Sequence, residues 1–288
     1  MKEKLISILS DFDLIKSGQS DHLSYKLLPG ITNTSYLVDL GEDKFVVRIP
    51  GLNPDLLKRS SEYHNQLLAV DLGITLPFIY FDIESGIKVS KFITGLKTFT
   101  EDDFKNKELR KKALSKLLII HESDLIFKDN FDPLTAFKLL SSEGKGLQGK
   151  AFSVACEVVD ELLNYKLESK PCHQDLYSGN FVLFNEEVYL IDWEYSSQGD
   201  PFFDYSDLFM QNNFDQYMRA ETFTEIGIIP NKSNLRKSLL FEALSLITWG
   251  LWSIGKSVID KDVNKKLYYK EGKNRVLTGI KLYENKIF

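Results

Sequence analysis

The chain has 288 residues, 43% of them hydrophobic, and a formal net charge of −5. That apolar content supports a sizeable core, and the length suits one large domain or two lobes. A mildly acidic chain lacks the basic stripe of an electrostatic nucleic-acid binder, so no nucleic-acid partner is expected. Cys156 and Cys172 match neither a zinc spacing nor a disulfide framework and read as reduced thiols.

In chain order, Leu5, Ile8, Leu9 and Phe12 have helical spacing among scattered charges, unlike a signal peptide. Residues 22–28, 34–40 and 44–49 predict three antiparallel strands, the first two joined by Pro29-Gly30-Ile31-Thr32-Asn33. A helix is expected over 55–70, with Asp55 in its first turn, then strands over 78–82 and 86–92. From about residue 101 helices dominate: 107–121, 133–140 and 149–168, with a loop around 141–149. A strand pair at 181–184 and 188–191 turns at Asn185-Glu186-Glu187, and 204–219 and 233–259 read as helices with apolar faces. The richest apolar stretch, 241–254, contains Glu242 and falls short of the ~20 residues a membrane span needs. A cytoplasmic protein without membrane insertion is therefore expected. The β-rich first third and α-rich remainder predict two lobes, 1–92 and 93–288, with a ligand cleft between them.

The strongest chemical pattern is His173-Gln174-Asp175-Leu176-Tyr177-Ser178-Gly179-Asn180, followed after one hairpin by Ile191-Asp192-Trp193. Phosphoryl transfer from ATP needs a carboxylate to orient or deprotonate the acceptor hydroxyl, which Asp175 supplies. It also needs oxygen ligands for Mg²⁺, and Asn180 and Asp192 offer an amide oxygen and a carboxylate. His173 reads as a hydrogen-bonding support for the loop. Order and spacing match the H-x-D-x-x-x-x-N and metal-binding Asp of protein kinases, without their activation-loop and A-P-E arrangement.

With Ile191-Asp192-Trp193-Glu194-Tyr195-Ser196 in place of D-F-G, the chain resembles the choline/ethanolamine kinase family over about residues 25–280. The resemblance implies a bilobal α+β protein-kinase-like fold, with a small antiparallel-sheet N-terminal lobe for nucleotide. The larger, mainly helical C-terminal lobe would carry catalysis and the acceptor. ATP and Mg²⁺ are the implied co-substrates and an amino alcohol, choline above ethanolamine, the implied acceptor, in a monomer or homodimer. The turn bearing Gly30, Thr32, Asn33 and Thr34 would cover the phosphates. Arg48 would grip the non-transferred phosphates, steadied by Glu62 on the following helix.

A quaternary ammonium has no N–H donors, so its site relies on aromatic faces and nearby carboxylates. Trp249 and Trp252, three apart on an expected helix, would supply the faces, with Tyr269 closing the box, Tyr268 as its one-residue register alternative, and Tyr195 near the cleft floor. Asp204 resembles the family residue that braces the catalytic loop. Seven residues beyond it the family usually carries glutamate, whereas this chain has Gln211. Asp207, one turn earlier, is read as a compensating charge or a solvated helix residue.

Overall fold

The computed structural model describes residues 1–16, 18–30, 33–51, 57–129, 148–259 and 265–285. Thr32, Asp55 and the helix expected over 133–140 lie outside these residues.

The first third builds one antiparallel sheet from β1 (Ser24–Leu28), β2 (Thr34–Asp39), β3 (Lys44–Ile49), β4 (Tyr80–Phe81) and β5 (Lys88–Lys91), in the order β1-β2-β3-β5-β4. Alternation along β2 and β3 turns Val38, Phe45 and Val47 to one face. Leu5, Ile8 and Leu9 of helix α1 (Lys2–Asp11) pack on that face and close a small core. A short α2 (Gln19–His22) leads into β1. Helix α3 (Arg59–Asp71) starts four residues later than the spacing suggested, because the backbone of Lys58 is extended and forms the N-cap.

Beyond the sheet, β6 (Lys97–Thr98) precedes α4 (Lys107–His121), whose bounds match the expectation. Asn106 fixes its start by accepting from Glu108 N at 3.0 Å and Leu109 N at 3.3 Å. Helix α5 (Gln148–Leu162) stops six residues short of the expected 168. There the Asn164 amide donates back to the carbonyls of Asp160 and Glu161, at 3.3 and 3.2 Å, in place of a further turn.

Three short strands that periodicity did not show follow the same logic of close pairing. β6 pairs with β8 (Phe181–Phe184), which pairs with β9 (Glu187–Leu190); β7 (Lys170–Cys172) pairs with β10 (Ser197–Gly199). The β8–β9 hairpin closes through Asn185 and Glu186, both at positive φ (48° and 63°), as a two-residue turn of primed type requires.

The helix expected over 204–219 is two helices, α6 (Pro201–Gln211) and α7 (Gln216–Glu225). Asn213 at φ 53° ends the first, and Asp215 starts the second by accepting from Tyr217 N and Met218 N. Helix α8 (Lys232–Ile259) and helix α9 (Lys265–Glu284), the latter not assigned from the pattern, form an antiparallel pair. Their backbones approach so closely that a Cβ on Gly250 would lie 2.8 Å from the Gly272 carbonyl oxygen. Contrary to the expectation for 241–254, residues 232–255 are long and apolar enough to cross a membrane, but 78% of the window is buried inside the fold. Its apolar faces serve a core shared with α5, α6 and α9.

Candidate active site

The segment after β7 is a loop pinned from below by one helix. Asp204 of α6, fully buried, accepts from His173 N at 2.9 Å and Gln174 N at 2.8 Å, and its Oδ2 lies 2.9 Å from His121 Nε2. One turn on, Asp207 accepts from Leu176 N at 2.8 Å and from Ser245 Oγ at 2.9 Å. Asn212 donates to Leu176 O at 2.8 Å. Asp207 is therefore not a solvated helix residue; it is fully buried, and burial raises its pKa to about 7.

His173 is also fully buried, and burial lowers its pKa to about 4. The neutral ring reaches Ile191 O with Nε2 at 3.0 Å, so the proton is assigned to Nε2 and the β9 exit is tied to the loop. Asp175 N, at 3.4 Å, faces Nδ1. Gln174 completes the bend at φ 66°.

Within this frame Asp175 and Asn180 meet directly. Asn180 Nδ2 donates to both the backbone O and the Oδ2 of Asp175, each at 2.8 Å. Both amide protons are thereby used, and Oδ1 remains as an acceptor. Burial, reinforced by the charges of Asp207, Asp192 and Glu194, pushes the Asp175 carboxyl well above the usual carboxylate range.

Asp192 sits at φ 65°, a left-handed conformation at the strand exit that turns its side chain out of β-sheet alternation. Its Oδ1 accepts from Arg48 Nη1 at 3.1 Å. Arg48 Nη1 lies 2.6 Å from Glu62 Oε1, so the strand, the helix and the post-hairpin aspartate converge as a chain of charges. Asn33 Nδ2 donates to Glu194 Oε2 at 2.9 Å, joining the β1–β2 turn to the same cluster. Gly30 is exposed at that turn and Thr34 opens β2 opposite Ile49.

Three charged members of the cluster were not singled out from sequence. Arg59 Nη1 bridges Glu62 Oε2 at 2.8 Å and Glu194 Oε2 at 3.1 Å. Lys88 Nζ reaches Glu62 Oε1 at 3.3 Å and Gln66 Oε1 at 2.9 Å. Lys88 lies directly across from Arg48 in the β3–β5 register, a pairing that no local pattern announces. Glu194 stood in the motif itself, and its burial beside a lone Asn-rich turn was the missing signal. Glu62 is 1% exposed and held at a pKa of about 2; the cations Lys88, Arg48 and Arg59 outweigh the burial that opposes its charge.

Tyr195 lies within electrostatic reach of Asp175; its ring meets Trp249 edge to face at 4.8 Å, and Trp249 meets Trp252 at 6.2 Å. Among the described residues the buried Tyr195 hydroxyl and Trp249 Nε1 have no hydrogen-bond partner. Tyr269 does not join this group: it is 46% exposed on α9, whereas Tyr268 is half-buried and its carbonyl accepts from Ser253 Oγ at 2.8 Å. Gln211, the last residue of α6, accepts from Arg275 Nη1 of α9 at 3.2 Å.

The donor set suits a hard divalent cation, with the Asn180 amide oxygen and the Asp192 carboxylate on one mouth. The neighbouring Arg48 is 6% exposed and, among the described residues, its Nε has no hydrogen-bond partner, a buried cation with donor capacity to spare. Oxygen ligands beside a buried guanidinium fit a magnesium–nucleotide phosphate group. Among the described residues one buried cluster, His121, Cys172 and Asp204, also brings metal-binding atom types together. Its Asp204 carboxylate is already engaged by the loop amides and His121.

A five-stranded antiparallel lobe, a helical lobe and a charge cluster between them define the α+β protein-kinase-like phosphotransferase fold. Residues 130–226 match the family model described as the phosphotransferase enzyme family. The chain superposes on choline kinase LicA from Streptococcus pneumoniae with a TM-score of 0.84 and 26% identity, covering 98% of this chain and 99% of that one. A structure of LicA in complex with AMP gives 0.83 at 25% identity, covering 99% and 98%. Protein LicA of Haemophilus influenzae is 28% identical over 194 residues, which span 63% of this chain and 56% of that relative's length. The chain is thus similar to choline kinases over nearly its whole length, with a phosphotransferase-family match across the catalytic-type loop.

Proposed function

We propose that this protein transfers the γ-phosphate of ATP to the hydroxyl of choline, giving phosphocholine. The observation that carries the reading is the position of two unlike surroundings about one loop. A buried Arg48–Glu62–Asp192 charge chain and the Tyr195–Trp249–Trp252 ring group both come within electrostatic reach of Asp175, the first through Asp192 and the second through Tyr195. Charges in a dry setting suit phosphates, and ring faces suit a trimethylammonium.

In this reading the cleft divides 1–92 for nucleotide from 93–288 for the acceptor. Asn180 Oδ1 and Asp192 would hold Mg²⁺, which supplies charge neutralisation on the phosphates when bound. Arg48, fixed by Glu62, takes the non-transferred phosphates, with Gly30, Thr32, Asn33 and Thr34 over them. Asp175 accepts the choline hydroxyl proton or its hydrogen bond, and its raised pKa makes it a better base than a solvated carboxylate. Tyr195, Trp249 and Trp252 seat the ammonium head. The reading places the reaction in the cytoplasm, where ATP is available.

The test is ADP release with Mg·ATP and a panel of choline, its partly methylated relatives, ethanolamine and an aminoglycoside. Turnover strongest with choline supports the reading. Turnover confined to another acceptor keeps the kinase chemistry and removes choline.

A further inference from the structure

Helix α6 presents a row of side chains to the catalytic loop. Asp204 and Asp207 take the loop amides, and Gln211 is the next member of the row at helical spacing. Arg275 reaches Gln211 from α9, three residues beyond the Gly272 that packs against Gly250. Since Gly250 lies between Trp249 and Trp252, the guanidinium ties α6 to the helix that packs against the tryptophan-bearing one.

Each side-chain acceptor on this wall already receives a donor. Gln211 Oε1 accepts from Arg275, and the two carboxylate oxygens of Asp207 accept from Leu176 N and Ser245 Oγ. Among the described residues, the Arg275 side chain donates to the neutral amide of Gln211. Arg275 brings a permanent positive charge to this wall, within electrostatic reach of Asp207. A primary ammonium carries three N–H donors and must find acceptors when desolvated. A trimethylammonium has none and is served by ring faces alone.

We propose that Arg275 is a specificity-determining residue that, by occupying Gln211, selects quaternary over primary ammonium acceptors. The inference rests on the amino-alcohol kinase reading and names what sets its acceptor class.

The experiment compares kcat/KM for ethanolamine and choline in the wild type, Arg275→Met, Arg275→Lys and the Arg275→Met/Gln211→Glu double variant. Tryptophan fluorescence gives both Kd values independently of turnover. Methionine keeps apolar stem volume while removing donor and charge. The ethanolamine-to-choline ratio should rise about tenfold in Arg275→Met, the loss of discrimination for about one charged hydrogen bond, and further in the double variant. Arg275→Lys should stay within about twofold of the wild type, and KM for ATP should not move in any of them. A ratio unchanged in Arg275→Met, or equal losses with both acceptors, overturns the proposal. Because the readout is a change in ratio, a wild type that prefers ethanolamine would remove the choline reading yet leave this test intact.

Discussion

Replacing Glu62 with glutamine keeps the volume and removes one buried negative charge from among three cations. Arg48, Arg59 and Lys88 approach its two oxygens at 2.6, 2.8 and 3.3 Å. The carboxyl, 1% exposed, has a folded pKa of about 2 against an ordinary 4.5. A depressed carboxylate pKa stabilises the fold above the unfolded value, and that contribution is lost as pH falls from 4.5 towards 2. At neutral pH the shift corresponds to about 3 kcal/mol, in line with the ~3–5 kcal/mol cost of leaving a buried charge unpaired. For a chain of this size that lowers Tm by roughly 6–12 °C. Calorimetry or circular dichroism at pH 7 measures it, and a series down to pH 3 should show the difference from the wild type narrowing. A Glu62→Gln variant melting within about 2 °C of the wild type at pH 7 would refute the reasoning. The cluster would then be satisfied without Glu62, and Arg48 would need another support.

Asp175→Ala should abolish turnover while ATP binding stays measurable by calorimetric titration; near-normal turnover removes its assigned role. Trp252→Ala should raise KM for choline at least tenfold, with KM for ATP within about twofold, the loss of one cation–π face in a desolvated site. Equal effects on both would make the tryptophans core residues. His173 has a folded pKa of about 4 against an ordinary 6.5, so the unfolded chain binds the extra proton between those values. Wild-type stability should therefore fall as pH drops through 6.5 to 4, by up to about 3 kcal/mol, and His173→Gln should lose that slope in urea titrations across the window.

Periodicity was legible wherever an element buries one face on its own. Helix α4, strands β1 to β3 and the β8–β9 hairpin lie where alternation or 3.6-residue spacing put them. It failed where a local polar side chain decides: Asn164 ends α5, and Asn213 with Asp215 splits one apolar run into α6 and α7. Strands β6, β7 and β10 are two or three residues long and exist only through distant partners, which no window contains. The site divides likewise. Asp175, Asn180 and Asp192 have a spacing that is itself the signal. Lys88 and Arg59 enter through β3–β5 register and the path of α3, and Arg275 arrives from 64 residues away to meet Gln211.

The same division says where the chain tolerates change. The catalytic loop is held at His173, Gln174 and Leu176 by three residues of one short stretch, Asp204, Asp207 and Asn212, the carboxylates through backbone amides. Backbone anchoring is indifferent to the loop's side chains, so Asp175 and Asn180 are free to be chosen for chemistry. Gln211 belongs to that stretch by position yet points its acceptor to Arg275 instead of the loop. Changing it leaves in place the hydrogen bonds that hold the loop. The Gln211–Arg275 contact and the anchoring of the loop thus sit on neighbouring turns of one helix but are carried by separate hydrogen bonds, and the first can drift while the second stays fixed.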